Sequence, residues 1–136
     1  MNIDILIKEL TKDEGVRLMP YRDTVGKLTI GIGRNLDDVG ISLAEANAML
    51  ANDINRVTQQ LDKSILWWRT MSENRQRVLC NMAFNLGIAS LLKFHDTLQN
   101  MKLGNYKEAA AGMRSSLWYR QVGARAERLA IMMDNG

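Results

Sequence analysis

Residues that interrupt helices are concentrated at one end of this chain. Five of its ten glycines, at 15, 26, 31, 33 and 40, precede position 41, and the single proline is Pro20. Glycine and proline are the strongest local punctuation in a sequence. A 136-residue chain punctuated this way is constrained to an N-terminal part built from turns and short strands, followed by a mostly helical remainder. Its length suits one compact domain, divided at most into two lobes.

Within the N-terminal part, Ile3, Leu6, Ile7 and Leu10 have the i, i+3, i+4, i+7 spacing of an amphipathic helix. Glu14 continues that stripe and Gly15 supplies a C-terminal stop. This places Glu14 at the negative end of a helix dipole with its face toward the protein, so burial and dipole would both favour its protonated form; the local pattern fits a surface carboxylate at a frayed helix end equally well. Pro20 discourages helix, and Asp23-Thr24-Val25-Gly26 has turn chemistry. Leu28, Ile30 and Ile32 alternate with Thr29, Gly31 and Gly33, the two-residue period of a strand with one aliphatic and one nearly bare face. A hairpin would bring Asp23 and Thr29 close across its arms. Arg34 to Gly40 is polar and turn-like, with a short third strand expected at Gly40-Ile41.

Ser42 and Glu45 fit a capping box. The helix they open carries Leu43, Ala46, Met49, Leu50, Ile54, Val57 and Leu61 at helical spacing without a breaker, about 18 residues and about 27 Å long. Trp67 and Trp68 read as packing residues rather than sugar platforms. A further helix from Ser72 ends before Gly87; its apolar face holds Val78, Leu79, Met82 and Leu86, leaving Phe84 and Asn85 able to reach a cleft. Residues 88–103 and 105–114 read as two helices, Ser115-Ser116 caps a short turn with Leu117, Trp118 and Tyr119, and a last helix starts near Ala124.

Charge is uneven. Residues 1–68 carry 8 basic and 10 acidic side chains, whereas residues 69–136 carry 10 basic and 5 acidic. The basic second half suits an anionic partner such as nucleic acid, a membrane surface or the bacterial wall, although on charge alone a solvated helical surface is the more ordinary reading. Charge alone does not support nucleic acid, because no groove-reading motif accompanies it. Cys80 is the only cysteine and His95 the only histidine, so neither an internal disulfide, a metal site nor a histidine-dependent triad is expected. Asp4, Lys8 and Glu9 interrupt the N-terminal apolar pattern, which therefore reads as neither signal peptide nor membrane span.

Glu14, Asp23 and Thr29, within the stretch DEGVRLMPYRDTVGKLTIGIG, resemble the catalytic triad of the phage-type lysozymes, glycoside hydrolase family 24, and the T-even type among them. The likeness extends to NMAFNLG (81–87) and WYRQVGARAER (118–128), three blocks in the family's order. It implies an α+β, mainly helical, lysozyme-like two-lobed fold, with a small antiparallel sheet and a long connecting helix. All of 1–136 would form a single lysozyme domain: a small lobe over about 13–60, and a helical lobe over about 64–136 joined by the N-terminal helix.

The resemblance also implies an activity, that of an N-acetylmuramidase or endolysin hydrolysing, with inversion, the β-1,4 bonds between N-acetylmuramic acid and N-acetylglucosamine in peptidoglycan. Glu14 would be the general acid, Asp23 would hold and help activate the attacking water, and Thr29 would position it. Tyr21, Gly33, Phe84, Asn85 and Arg125 would lie on the substrate side, Arg125 pairing with Glu14 across the lobes and Trp118 supporting the cleft wall. No cofactor or metal is implied. The expected partner is bacterial peptidoglycan, with no nucleic acid and no stable membrane insertion, for a monomer made in the host cytoplasm and released through a holin. The alternative is a peptidoglycan-binding protein of the same fold with little activity. Two departures stand out. The chain is shorter than the longest relatives after Arg34 and at its C-terminus, and Arg34 occupies a position often held by histidine, which would remove an ion-pair partner from the small lobe.

Overall fold

Eight helices and three short strands make up the computed structural model, which describes all residues Met1–Gly136. The strands form one antiparallel sheet of order β1-β2-β3, so the fold is α+β and mainly helical. Contacts divide the chain into two compact units, Met1–Met49 and Leu50–Gly136.

In the first unit, α1 (Ile3–Glu14) is capped by Asn2, whose side chain accepts from the Ile5 amide. It ends at Gly15, which has φ 74° and donates its amide to Thr11. β1 (Arg17–Arg22) pairs with β2 (Leu28–Gly31), Tyr21 opposite Thr29 and Arg22 opposite Leu28. β2 in turn pairs with β3 (Arg34–Asn35), Thr29 opposite Asn35. The third strand is thus at Arg34–Asn35 and not at Gly40-Ile41. Alternation predicted β2 to run through Gly33, but Gly31 and Gly33 both have positive φ, at 71° and 70°. That conformation favours glycine, and here it ends β2 at Gly31 and turns the chain through Ile32 and Gly33 into β3. The loop after β3 is tied back by Asp37, which accepts from the Leu28 amide at 2.8 Å, and by the Lys27–Asp38 ion pair at 3.1 Å.

α2 (Leu43–Ser64) is 22 residues long, about 33 Å, because no breaker stops it at Leu61. Its capping box is reciprocal: the Glu45 amide donates to Ser42 Oγ, and the Ser42 amide donates to Glu45 Oε1. Arg34 does find an acid in this unit, contrary to the expectation of a lost ion pair. It reaches Glu45 at 2.7 Å and also donates to the Gly40 carbonyl.

The second unit is organised around a buried apolar core. α3 (Glu73–Leu86) starts at the Ser72 cap and buries Val78, Leu79, Met82 and Ala83. α8 (Ala124–Asn135) buries Ala126, Leu129, Ala130 and Met133, a 3.6-residue stripe that closes on α6 (Tyr106–Arg114) through Ala109, Ala110 and Met113. Trp68, in a 3-10 turn (Trp68–Thr70), is buried and donates its indole N–H to Asp62, whereas Trp67 is only half-buried.

The segment predicted as one helix over 88–103 is two, α4 (Ile88–Leu91) and α5 (His95–Lys102). The break falls at Phe94, which packs edge-to-face on Trp118 with centroids 6.2 Å apart. α7 (Leu117–Val122) follows the Ser116 cap. Arg75 ties α3 to the end of α8 by donating to the carbonyls of Met133 and Asp134.

Candidate active site

In the first unit the three triad candidates are held by backbone geometry. Glu14 is the last residue of α1, and its side chain lies directly over Gly33 in the β2–β3 turn. A Cβ at position 33 would stand 2.8 Å from Glu14 Oε2. No side chain fits there while Glu14 keeps its place, and φ +70° would strain one in any case. Gly33 therefore acts on Glu14 by letting the hairpin backbone approach the carboxyl. Glu14 is exposed, so the burial expected for it is not found.

Asp23 begins the β1–β2 turn, and its Oδ1 accepts two amides, Val25 at 3.0 Å and Lys27 at 2.8 Å. Both bonds use the same oxygen, which leaves Oδ2 for a ligand. Its own amide donates to the Lys27 carbonyl at 2.9 Å. That carbonyl also accepts from Thr29 Oγ1 at 2.9 Å. Thr29 is 4% exposed and is the one buried residue of this unit. Its hydroxyl proton is committed, so toward a ligand Thr29 presents lone pairs and acts as an acceptor.

The backbone of Lys27 is thus the joint between the second carboxylate and the hydroxyl. Sequence reading missed it because the side chain there carries no part of the role. The two-residue spacing from Lys27 to Thr29, directly after a turn ending at Gly26, was the available signal. Tyr21, directly opposite Thr29 in the sheet, stacks under the Arg17 guanidinium at 4.1 Å.

In the second unit Asn81 Oδ1 accepts two bonds from Arg125, from Nε at 2.9 Å and Nη2 at 2.7 Å. Asn81 stands one turn before Asn85 on α3, and this partner of Arg125 was not anticipated. Asn85 Oδ1 accepts the buried Trp118 indole N–H at 2.8 Å, which leaves its amide nitrogen for a ligand. Phe84 is 46% exposed. It lines an apolar trough of about 670 Å³ in this unit together with Asn81 and Arg125.

Two carboxylates outside the triad are held in their ionised form by hydrogen bonds. Glu45 is pulled down to about 2, chiefly by the hydrogen bond from Arg34 and then by Ser42. Glu127 is lowered by hydrogen bonds from Arg114 and Tyr119.

Two carboxyl groups and a hydroxyl on one small helix-and-sheet unit are groups of the kind a carbohydrate-cleaving hydrolase uses. The model of the phage lysozyme family matches residues 11–131, and the chain belongs to that family. It is 30% identical to the pre-baseplate central spike protein of Enterobacteria phage T4, with 93% of this chain aligned to 27% of that protein. It is 27% identical to a probable T4-type lysozyme of Dictyostelium discoideum, over 96% of this chain and 94% of the relative. Against the endolysin of Salmonella phage P22 the identity is 28%, over 76% of this chain and 75% of that one.

Proposed function

We propose that the protein is an N-acetylmuramidase that hydrolyses the β-1,4 bond between N-acetylmuramic acid and N-acetylglucosamine in bacterial peptidoglycan, as an endolysin acting in host-cell lysis. Membership of the phage lysozyme family supports it. The observation that carries it is the first unit's arrangement: one carboxyl seated on Gly33, and a second joined to a hydroxyl through the Lys27 backbone.

Glu14 is the general acid that delivers a proton to the glycosidic oxygen as the bond to the anomeric carbon breaks. The attacking water donates one hydrogen bond to Asp23 Oδ2 and one to Thr29 Oγ1, which turns its lone pair toward the sugar. As the new C–O bond forms Asp23 takes one proton, and the other stays on the new anomeric hydroxyl. Displacement by water from the opposite face inverts the anomeric carbon. Tyr21, Phe84, Asn85 and Arg125 bind the glycan and its peptide, and Gly33 keeps room for both carboxyl and sugar. The pairing of Arg125 with Glu14 belongs to the same proposal. It predicts that Arg125→Ala lowers activity more than Arg125→Lys.

The whole chain 1–136 acts as a single lysozyme domain and works as a monomer. No helix is long and apolar enough to cross a membrane, and the route to the wall is release through a holin. Glu14→Gln tests the reading. Lysis of outer-membrane-stripped cells is expected to fall by about 10²–10⁴, the usual worth of a positioned acid, with the melting temperature unchanged. Undiminished lysis would overturn it. Mass spectrometry of the released muropeptides identifies the reaction: hydrolysis leaves a reducing end, heavier by one water than the 1,6-anhydro end of a transglycosylase.

A further inference from the structure

A second pocket, of about 250 Å³, lies in the helical unit between the end of α2 and α5, and shares no residue with the trough beside Phe84. His95, Gln99 and Lys102 line it. Their spacing, i, i+4 and i+7, puts all three on one stripe of α5, while Thr97 and Met101 turn into the core and Leu98 lines the apolar side of the pocket with Ile65 and Leu92. Ser64, at the end of α2, and the half-buried Trp67 complete the polar wall.

The hydrogen bonds distinguish this place from an ordinary packing seam. Two of the three indoles are tied to the protein, Trp68 to Asp62 and Trp118 to Asn85. Trp67 Nε1 makes no such bond and is not sealed off from solvent. Neither do the side chains of Ser64, His95, Gln99 and Lys102 bond to any protein group. Five polar side chains thus line one concavity, four of them at exposed positions, and none is bonded to another protein group.

Their chemistry is donor-rich. The indole and the ammonium can only donate, and the hydroxyl, amide and imidazole can donate as well as accept. No carboxylate lines the pocket, so a ligand here is rich in acceptors and can carry negative charge. An indole at the edge of a polar pocket offers an apolar face and a polar tip together, which suits the mixed C–H and hydroxyl surface of a pyranose.

We propose that this pocket is a glycan subsite for an N-acetylated amino sugar bearing a carboxylate, as in muramic acid with its lactyl or stem-peptide carboxyl. Trp67 covers the ring, Gln99 and Ser64 meet the acetamido and hydroxyl groups, and Lys102 takes the carboxylate. The inference rests on the peptidoglycan substrate proposed above. It adds a second hold on the wall polymer within the helical unit.

The test follows the three indole N–H resonances of ¹⁵N-labelled Glu14→Gln protein during titration with N-acetylmuramic acid and with the muramyl disaccharide. The Trp67 resonance is expected to move saturably while that of Trp68 stays put. Lys102→Ala with Gln99→Ala, both at exposed positions, is expected to weaken that response at least several-fold with unchanged melting temperature. N-acetylglucosamine, which lacks the carboxylate, should bind more weakly. A motionless Trp67 resonance, an equal response in the double variant, or an equal shift produced by acetate alone would each overturn the subsite. Those outcomes leave the muramidase reading intact, since that reading is tested by wall lysis in the parent and in Glu14→Gln.

Discussion

The two units are held together by different means. In Leu50–Gly136 every helix of two or more turns contributes to one apolar core, with Leu61, Leu79, Met82, Met113 and Met133 almost wholly buried. In Met1–Met49 the only buried residue is Thr29. That smaller unit is organised by caps, turns and side-chain-to-backbone bonds, from Asn2 at α1 to Asp23, Asp37 and Ser42. A net hydrogen bond contributes about 0.5–1.5 kcal/mol, and fully burying a Leu or Met side chain about 1.5–3 kcal/mol. The triad candidates therefore sit on the half with less to hold it, where local opening is easiest. What keeps them in place is direction. Glycines at positive φ and doubly bonded Asp23 fix where the groups point without requiring a large core.

The strongest way to break this comparison is to attack the core. Leu79→Ala removes a fully buried side chain from α3 and should cost about 2–5 kcal/mol, read as a lower midpoint in urea denaturation. Hydrogen exchange sharpens the contrast. Amides of α3, α6 and α8 should be the slowest, and those of β1 to β3 should exchange faster by a smaller opening free energy. Equal protection in the two units would mean that the sheet draws on the helical core for its stability.

Gly33→Ala comes next, because it acts where the smaller unit has least room. The new methyl would stand 2.8 Å from Glu14 Oε2 on a backbone at φ +70°. A cost of order 1–3 kcal/mol for a side chain held in this region should appear as local loosening of the β2–β3 turn. Lysis should drop more than global stability does. If activity survived at full strength, the seat of Glu14 on Gly33 would be incidental.

A smaller effect separates Thr29's two roles. Thr29→Val keeps the shape and removes the bond to the Lys27 carbonyl, for about 1 kcal/mol. Activity should fall well beyond that, whereas Thr29→Ser should retain both. A loss of lysis no greater than the loss of stability in Thr29→Val would reduce Thr29 to a structural residue.

Much of this architecture was legible in the sequence because helices announce themselves by periodicity and caps. Val78, Leu79 and Met82 on α3, and Ala126, Leu129, Ala130 and Met133 on α8, face inward as their spacing requires. The Ser42–Glu45 box closes in both directions. What escaped was decided by conformation or by distant packing. Alternation cannot tell a strand from a turn when its bare positions are glycines, so the pattern carries β2 on through Gly33 although the strand ends at Gly31. The break at Phe94 has no glycine or proline to mark it, and the ring there packs against Trp118. Positions 14, 23 and 29 were recognisable as a spaced pattern. The Lys27 carbonyl that joins two of them was not, since any residue supplies a carbonyl. Arg34 was read by what it replaced, and its partner Glu45 emerged only once β3 and the start of α2 were in place.

The smallest expected effect probes that same pair and is confined to the first unit. The hydrogen bond from Arg34, aided by Ser42, lowers the Glu45 carboxyl from an ordinary 4.5 to about 2. A carboxyl whose folded-state pKa lies below its unfolded value binds protons more readily when unfolded. Its contribution is therefore complete above pH 4.5 and is lost as pH falls toward 2. Both partners lie at the surface and the pair is screened by salt. The loss should be modest and smaller still at high ionic strength. Urea denaturation across pH 2 to 4.5 should show a shallower acid slope for Glu45→Gln than for the parent. The amides of Ser42 and Glu45 should report the change, while α3 and α8 remain silent. Matching slopes would show that Arg34 and Glu45 set the geometry of the helix start without contributing to the acid response of the smaller unit.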